Sequence, residues 1–284
     1  MVHVGQFNKL KVIKEVAFGV YLDGEEFGEV LLPSKVVPKG TLIGDEVNVF
    51  IYFDSEDKII VTTKRPRAFV GSFASLRVID INRAGAFLDW GLDKDLLVPK
   101  ALQHRPMTLN NYYVVYIFND NEGRIVASTK LDYYLDKTPP EYMPGEEVNL
   151  IIAGTSPLGY KAIINNQHWG LIHRDDVFQS IALGNKLPGY IKKIRADGKI
   201  DVVLRKMGQD SVDELSERIL EELNKADGYL PLHDKSNPED IKRVFNESKK
   251  NFKRSLGLLY KRGKILLEAE GIRLKEKSHK AKKG

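Results

Sequence analysis

The chain has 284 residues and no cysteine. That excludes disulfides, thiolate zinc sites and cysteine nucleophiles, and it fits a reducing compartment. No run approaches the roughly 18 apolar residues of a membrane span. Residues 1–16 are strand-like but broken by Lys9, Lys11, Lys14 and Glu15, so no signal-peptide core is present. A soluble, cytoplasmic protein is expected. No histidine pair has zinc spacing, and Gly154-Thr155-Ser156-Pro157-Leu158-Gly159 lacks the lysine of a phosphate-cradling loop. The carboxylate doublets Asp175-Asp176 and Glu221-Glu222 do not form the cluster that two-metal nuclease chemistry needs. Neither catalysis, nor a bound metal, nor a cofactor is expected.

What is present is a sentence written three times. The first copy runs from Gly19-Val20-Tyr21-Leu22 to Leu31-Leu32-Pro33 and closes on Lys64. The second runs from Gly85-Ala86-Phe87-Leu88 to Leu97-Val98-Pro99 and closes on Lys130. The third runs from Gly159-Tyr160-Lys161-Ala162 to Leu171-Ile172-His173 and closes on Lys206. Gly19 to Pro33, Gly85 to Pro99 and Gly159 to His173 are each 14 residues. A period of about 66 to 75 residues, filled with short alternating strands, gives one small β-barrel per repeat rather than a solenoid unit.

Strand side chains alternate between faces. Val20 with Leu22, and Ala86 with Leu88, should face inward. Tyr21 and Phe87 then stand outside, beside a glycine that would leave room for a planar ligand. Base stacking would explain such rings, and so would burial against a neighbouring module. The third copy carries Lys161 at the ring position, with Tyr160 before it and Trp169 read in the following turn. Lys161, Arg174, Lys192, Lys193 and Arg195 could follow a phosphate backbone. His173 has no partner at metal-ligand spacing and is read as a stacking or hydrogen-bonding residue.

The C-terminal part is different. Ser211-Val212-Asp213-Glu214 reads as a capping box, followed by Leu215, Ile219, Leu220 and Leu223 at helical spacing. Asn237-Pro238 opens a second helix with Ile241 and Phe245 inward. Ser248 opens a third, with Phe252, Leu256 and Leu259 inward and Lys249, Lys250, Lys253, Arg254 and Lys261 on its other faces. The segments around Ile265-Leu266-Leu267 and Ile272-Arg273-Leu274 read as a hairpin. Three helices and a hairpin make a winged helix. Residues 248–284 hold thirteen Lys and Arg against three Glu, a net of +10, so the other 247 residues sum to −5 of the chain's +5. A basic end on a balanced chain points to a polyanionic partner or to a solvated tail.

With these residues laid out, the repeats resemble S1 domains, the OB-type barrels of RNA-binding proteins. Three such repeats plus a winged helix resemble the conserved virulence factor B, or YitL-like, family of bacterial proteins. Residues 249–264 are especially similar to it. The fold expected is mainly β with a C-terminal α+β module: three tandem five-stranded barrels at 1–65, 68–131 and 145–208, a winged helix at 211–276 and a basic tail at 277–284. Residues 64–67 are read as a hinge and 131–145 as a linker. The resemblance implies RNA binding and post-transcriptional regulation. It carries the S1 ligand positions onto Tyr21, Phe87 and His173, with Pro33 and Pro99 replacing the histidine and Lys161 replacing the aromatic. No repeat keeps the full set, so affinity would depend on linked weak sites.

The expected RNA-binding residues are Tyr21, Lys35, Phe87, Lys100, Lys161, Trp169, His173, Arg174, Lys192, Lys193, Lys249, Lys250, Lys253, Arg254, Lys261 and Lys264. The expected partner is single-stranded RNA with weak sequence preference, the ribosome being a further candidate; no membrane partner is expected. A DNA-binding regulator acting through the winged helix, or a ribosome- or protein-docking adaptor, are the alternatives.

Overall fold

The computed structural model describes residues 1–54, 56, 58–138, 141–177, 179–205 and 209–275, with the backbone alone for 209–211. The basic tail at 277–284 and the closing Lys206 lie outside the described residues. The chain divides into two compact units, Met1–Lys137 with Asn166–His168 and Leu183–Asn185, and the remainder.

The first unit holds two five-stranded sheets. The first is β1 (Phe7–Val16), β2 (Gly19–Asp23), β3 (Glu29–Pro33), β4 (Glu46–Phe53) and β5 (Ile59–Thr62), in the order β3-β2-β1-β4-β5. It is barrel-like, but β3 and β5 lie side by side without ladder hydrogen bonds. The second is β6 (Phe73–Ile81), β7 (Gly85–Asp89), β8 (Leu96–Pro99), β9 (Tyr112–Asn119) and β10 (Ile125–Ser128), closed by the parallel pair β8–β10 at Leu97 and Val126. The third, β11 (Glu147–Ser156), β12 (Gly159–Ile164), β13 (His168–His173), β14 (Lys186–Ile194) and β15 (Ile200–Val203), is likewise closed, by β13–β15.

One contact recurs in all three and explains the 14-residue spacing. Gly19, Gly85 and Gly159 pack so tightly on the next strand that an added Cβ would stand 2.2, 2.1 and 2.0 Å from the carbonyl oxygens of Leu32, Val98 and Ile172. No side chain fits there. Glycine therefore sets strand pairing, with Gly19 opposite Pro33 and Gly85 opposite Pro99. This corrects the reading of these glycines as space for a planar ligand: the space is already filled by backbone.

Alternation holds where one face meets solvent. Val20 and Leu22 are buried, as are Ala86 and Leu88, with Tyr21 and Phe87 half-buried on the opposite face. It fails on β4, where Val49, Phe50, Ile51 and Tyr52 are all buried. Val49 and Ile51 fill the first barrel. Phe50 and Tyr52 point the other way and join the core of the second, meeting Trp90 edge-on at 5.8 and 6.3 Å. The first two barrels therefore share apolar packing, and each fully buried ring contributes about 1.5–3 kcal/mol. In the segment 64–67 read as a hinge, Lys64 pairs with Asp93 at 3.0 Å and Arg67 with Asp89. Part of the linker is ordered too. Residues Leu131–Tyr133 form a 3₁₀ turn, Leu131 and Leu135 are buried, and Tyr134 stacks on Tyr116 at 4.3 Å.

The C-terminal module is α1 (Gln209–Lys225), β16 (Tyr229–Leu230), α2 (Pro238–Phe245), α3 (Lys249–Lys261), β17 (Ile265–Leu267) and β18 (Ile272–Leu274). Helix α1 begins two residues before Ser211, so Ser211 is not its N-cap; the Ser211 side chain lies outside the described residues. The other two caps form as read: the Asn237 side chain accepts from Glu239 N–H, and that of Ser248 from Asn251 N–H. Strand β16 joins the hairpin to make a three-stranded wing, in the order β16-β18-β17. The core is aliphatic around Phe245 and Phe252, stacked at 5.4 Å. Arg205, just beyond β15, pairs with the buried Glu247 and donates to the Asn246 carbonyl at 3.1 Å. That ties the third barrel to the winged helix.

Replacing Gly85 with Ala should destabilise the protein by roughly 3 kcal/mol, because backbone must move to admit the methyl group. Urea unfolding checks this; an unchanged midpoint would mean the strands can part at no cost.

Candidate nucleic-acid interface

The ring position lies two residues after each repeat glycine, so it always faces outward. What stands beside it differs. In the first barrel, register places Lys14 of β1 opposite Tyr21, with the ammonium 5.6 Å from the ring centre. A bulge between Val12 and Lys14 makes this possible. Strict alternation from Lys9 and Lys11 would have turned Lys14 inward, which is why sequence reading missed it. In the third barrel, Lys161 lies over Trp169 at 4.1 Å. Trp169 sits within β13 rather than in the turn before it.

The second barrel is different. The residue opposite Phe87 is Asp80. Phe87 borders a cleft of about 760 Å³ whose lining includes Tyr52 and Ile60 of the first barrel, with Asp54, Asp93 and Asp95 at its edge. Carboxylates therefore stand near Phe87 together with Lys94 and Arg124, which also line the cleft. The ring is neither sealed in the barrel nor covered by its neighbour, but faces an open cleft.

After the partner strand, each barrel turns through a short 3₁₀ segment bearing an exposed cation: Lys35 in Ser34–Val36, Lys100 in Lys100–Leu102 and Arg174 in Arg174–Asp176. The expected cations of β14, and Arg195 just beyond it, are partly engaged by carboxylates of the third barrel. Lys192 pairs with Asp176 at 2.5 Å. Arg195 holds the nearly inaccessible Asp201, with Nε 3.0 Å from each carboxylate oxygen. His173 Nε2 lies 3.1 Å from Asp201 Oδ1 and 2.9 Å from the Arg195 guanidinium. His173 is thus a hydrogen-bonding residue, as one reading had it. Lys193 stays exposed, 3.8 Å from Asp201. Burial works most strongly on the Asp201 carboxyl and opposes its charge. The hydrogen bonds from Arg195 and then His173 outweigh it and hold the pKa below the ordinary 3.8.

On α3, Lys250, Arg254, Gly257 and Lys261 fall at i, i+4, i+7 and i+11, opposite the buried stripe of Phe252, Ser255, Leu256 and Leu259. Lys250, Arg254 and Lys261 are exposed. Lys253 is exposed beside Asp234 at 3.7 Å, and Lys249 donates to the Lys235 carbonyl at 3.1 Å. Lys264 is exposed in the turn leading to β17. Nothing lies within 4 Å of a Cβ built on Gly257. Among the described residues, no group of three or more His, Cys, Asp or Glu could hold a metal ion, and no helix is long and apolar enough to cross a membrane.

Residues 4–64 and 70–130 match the S1 domain family, and residues 217–274 match the CvfB-like winged helix domain. A Bacillus subtilis protein named YitL is 29% identical over 93% of this chain and 91% of its own length. A Staphylococcus saprophyticus protein named conserved virulence factor B is 26% identical over 96% of this chain and 95% of its own. A solved Streptococcus pneumoniae structure, described as a multidomain protein with nucleic acid binding domains, aligns with 96% of this chain and 98% of its own at 24% identity and a TM-score of 0.43.

Two substitutions probe these surfaces. Asp201→Asn should cost roughly 2–3 kcal/mol at neutral pH, since it breaks a buried, doubly hydrogen-bonded pair. Because the folded pKa is depressed, the wild-type advantage is fully present above pH 4 and shrinks as pH falls through the folded value. Urea titrations of both proteins at pH 7 and pH 3 measure it. Gly257→Ala should raise stability by about 0.5–1 kcal/mol, because the helix gains propensity without a clash; a lower melting temperature would contradict the open space seen there.

Proposed function

Starting from membership of the conserved virulence factor B (YitL-like) family, which the S1 and CvfB-like winged-helix matches and the full-length relatives show, we propose that this protein binds single-stranded RNA and acts by binding rather than catalysis. The observation that carries the reading is that an aromatic ring lies beside a lysine on two of the barrels, Lys14 with Tyr21 on the first and Lys161 with Trp169 on the third, from different strands in each. A base can stack on each ring while the adjacent ammonium meets its phosphate. Lys35, Lys100 and Arg174 extend the phosphate contacts at the turns, and Lys193 and His173 stand at the edge of the third barrel. The stripe Lys250, Arg254 and Lys261, flanked by Lys249, Lys253 and Lys264, supplies a further anionic-ligand surface. Several weak contacts on one chain add up through high effective concentration. In the cell this reading places the protein in the cytoplasm, regulating gene expression after transcription, with the ribosome as a further partner.

The exposed face of α3 would also suit the groove of a duplex, which keeps a DNA-binding role as the second reading. Fluorescence anisotropy with single-stranded RNA and duplex DNA at two salt concentrations separates them. Single-stranded RNA should bind more tightly, with affinity falling steeply as salt rises. Tyr21→Ala should weaken RNA binding by roughly 5- to 100-fold, the range of one stacked base, with little change in unfolding temperature. The double variant Lys250→Glu, Arg254→Glu should weaken binding and flatten the salt slope by about two. Tighter binding to duplex DNA, or an unaltered slope, would favour the alternative.

A further inference from the structure

We infer that the cleft between the first two barrels receives one unstacked base of the bound strand and prefers guanine. This rests on the RNA-binding reading above and names the base that one of its sites takes.

The cleft, about 760 Å³, is of a size that holds a nucleoside, and its floor is apolar, with Ile60, Leu97 and Val126 beside the half-buried Phe87 ring. Its charged rim is not built for phosphate. Lys94 donates to the Asp54 carbonyl at 2.6 Å, and Arg124 pairs with Asp120 and Glu122, both at 2.8 Å. The Asp54 carboxylate accepts from the N–H groups of Glu56 and Lys58, and Asp93 pairs with Lys64. Asp95 differs: no hydrogen bond or ion pair engages its carboxylate among the described residues. Although Asp95 is exposed, partial desolvation and then the nearby Asp89 and Asp80 push its pKa up. The exposed Asp95 carboxylate is therefore open to the donors of a ligand whose flat face meets the Phe87 ring, while Lys94 and Arg124 are already engaged by protein acceptors.

Guanine supplies both. Its Watson–Crick edge offers N1–H and N2–H₂ side by side, which match the two oxygens of one carboxylate. Adenine and cytosine present one amine next to a ring acceptor, whose lone pair would oppose the second oxygen. Uracil presents a single N–H between two carbonyls. A cationic side chain of a basic protein could also meet Asp95, but Phe87 occupies the same position as Tyr21, and the cleft beside it is lined by the apolar Ile60, Leu97 and Val126.

The test uses the intact protein and nonamers of uridine whose central residue is G, inosine, A or U. The G nonamer should bind roughly tenfold more tightly than the U nonamer, within the range of one bidentate base contact. Inosine, which lacks the N2 amine, should fall between them. In Asp95→Asn the G-to-U ratio should fall towards one, with the unfolding temperature retained. GMP should compete away the advantage of the G nonamer. Equal binding of G and U nonamers, or an unaltered ratio in Asp95→Asn, overturns the guanine site alone. GMP binding without any preference among nonamers assigns the cleft to a free nucleotide. Asp95-dependent capture of an arginine-rich peptide without a G preference assigns it to a basic protein; either result overturns the inference. Failure of every nonamer to bind overturns the underlying RNA reading as well.

Discussion

Each barrel rests on one close approach, a strand backbone lying against a glycine with no room for a Cβ. The carbonyl oxygens of Leu32, Val98 and Ile172 fill the space a side chain would need at Gly19, Gly85 and Gly159. That contact fixes pairing, and pairing fixes everything two residues away. A one-residue slip would exchange the inner and outer sets of each strand. With register pinned, Tyr21, Phe87 and Lys161 take the same outward place on three sheets. The strands that follow likewise deliver Lys35, Lys100 and Arg174 to equivalent turns.

The shared backbone then carries three different surfaces. Tyr21 has a lysine beside it, Phe87 has an aspartate, and Trp169 lies under a lysine on the neighbouring strand. Function resides in such local chemistry more than in the fold that presents it. Barrels that differ in this way need not compete for the same contact along a strand. The first two are further bound together by Phe50 and Tyr52, which leave one barrel to pack with Trp90 of the next. Their shared packing walls the cleft beside Phe87.

Charge is apportioned rather than spread. Many cations are committed to intramolecular partners: Lys64 to Asp93, Arg67 to Asp89, Lys192 to Asp176, Arg195 to Asp201 and Arg205 to Glu247. In the Arg195–Asp201–His173 group only Asp201 is buried, and the half-exposed His173, the position that S1 resemblance marks for a ligand, is held by hydrogen bonding to it. The more open cations lie at the turn tips and along α3, where Lys250, Arg254 and Lys261 share one face. Exposed charges of this kind contribute little to stability and much to attracting a polyanion.

The repeat, the outward placement of Tyr21 and Phe87, the buried stripes of the three C-terminal helices and two of their caps were all legible in the residues alone. These follow from local rules: alternation along a strand, 3.6-residue periodicity along a helix, and capping chemistry at Asn237 and Ser248. Tertiary structure decided what lies beside those residues. A bulge turned Lys14 outward, register set Asp80 against Phe87, and both faces of β4 were buried because a second barrel covers one of them. Residues 64–67 met Asp89 and Asp93, partners distant in the chain. Periodicity carries the direction in which a side chain points. Its neighbour depends on pairing between distant segments, and that pairing is settled only when the strands meet.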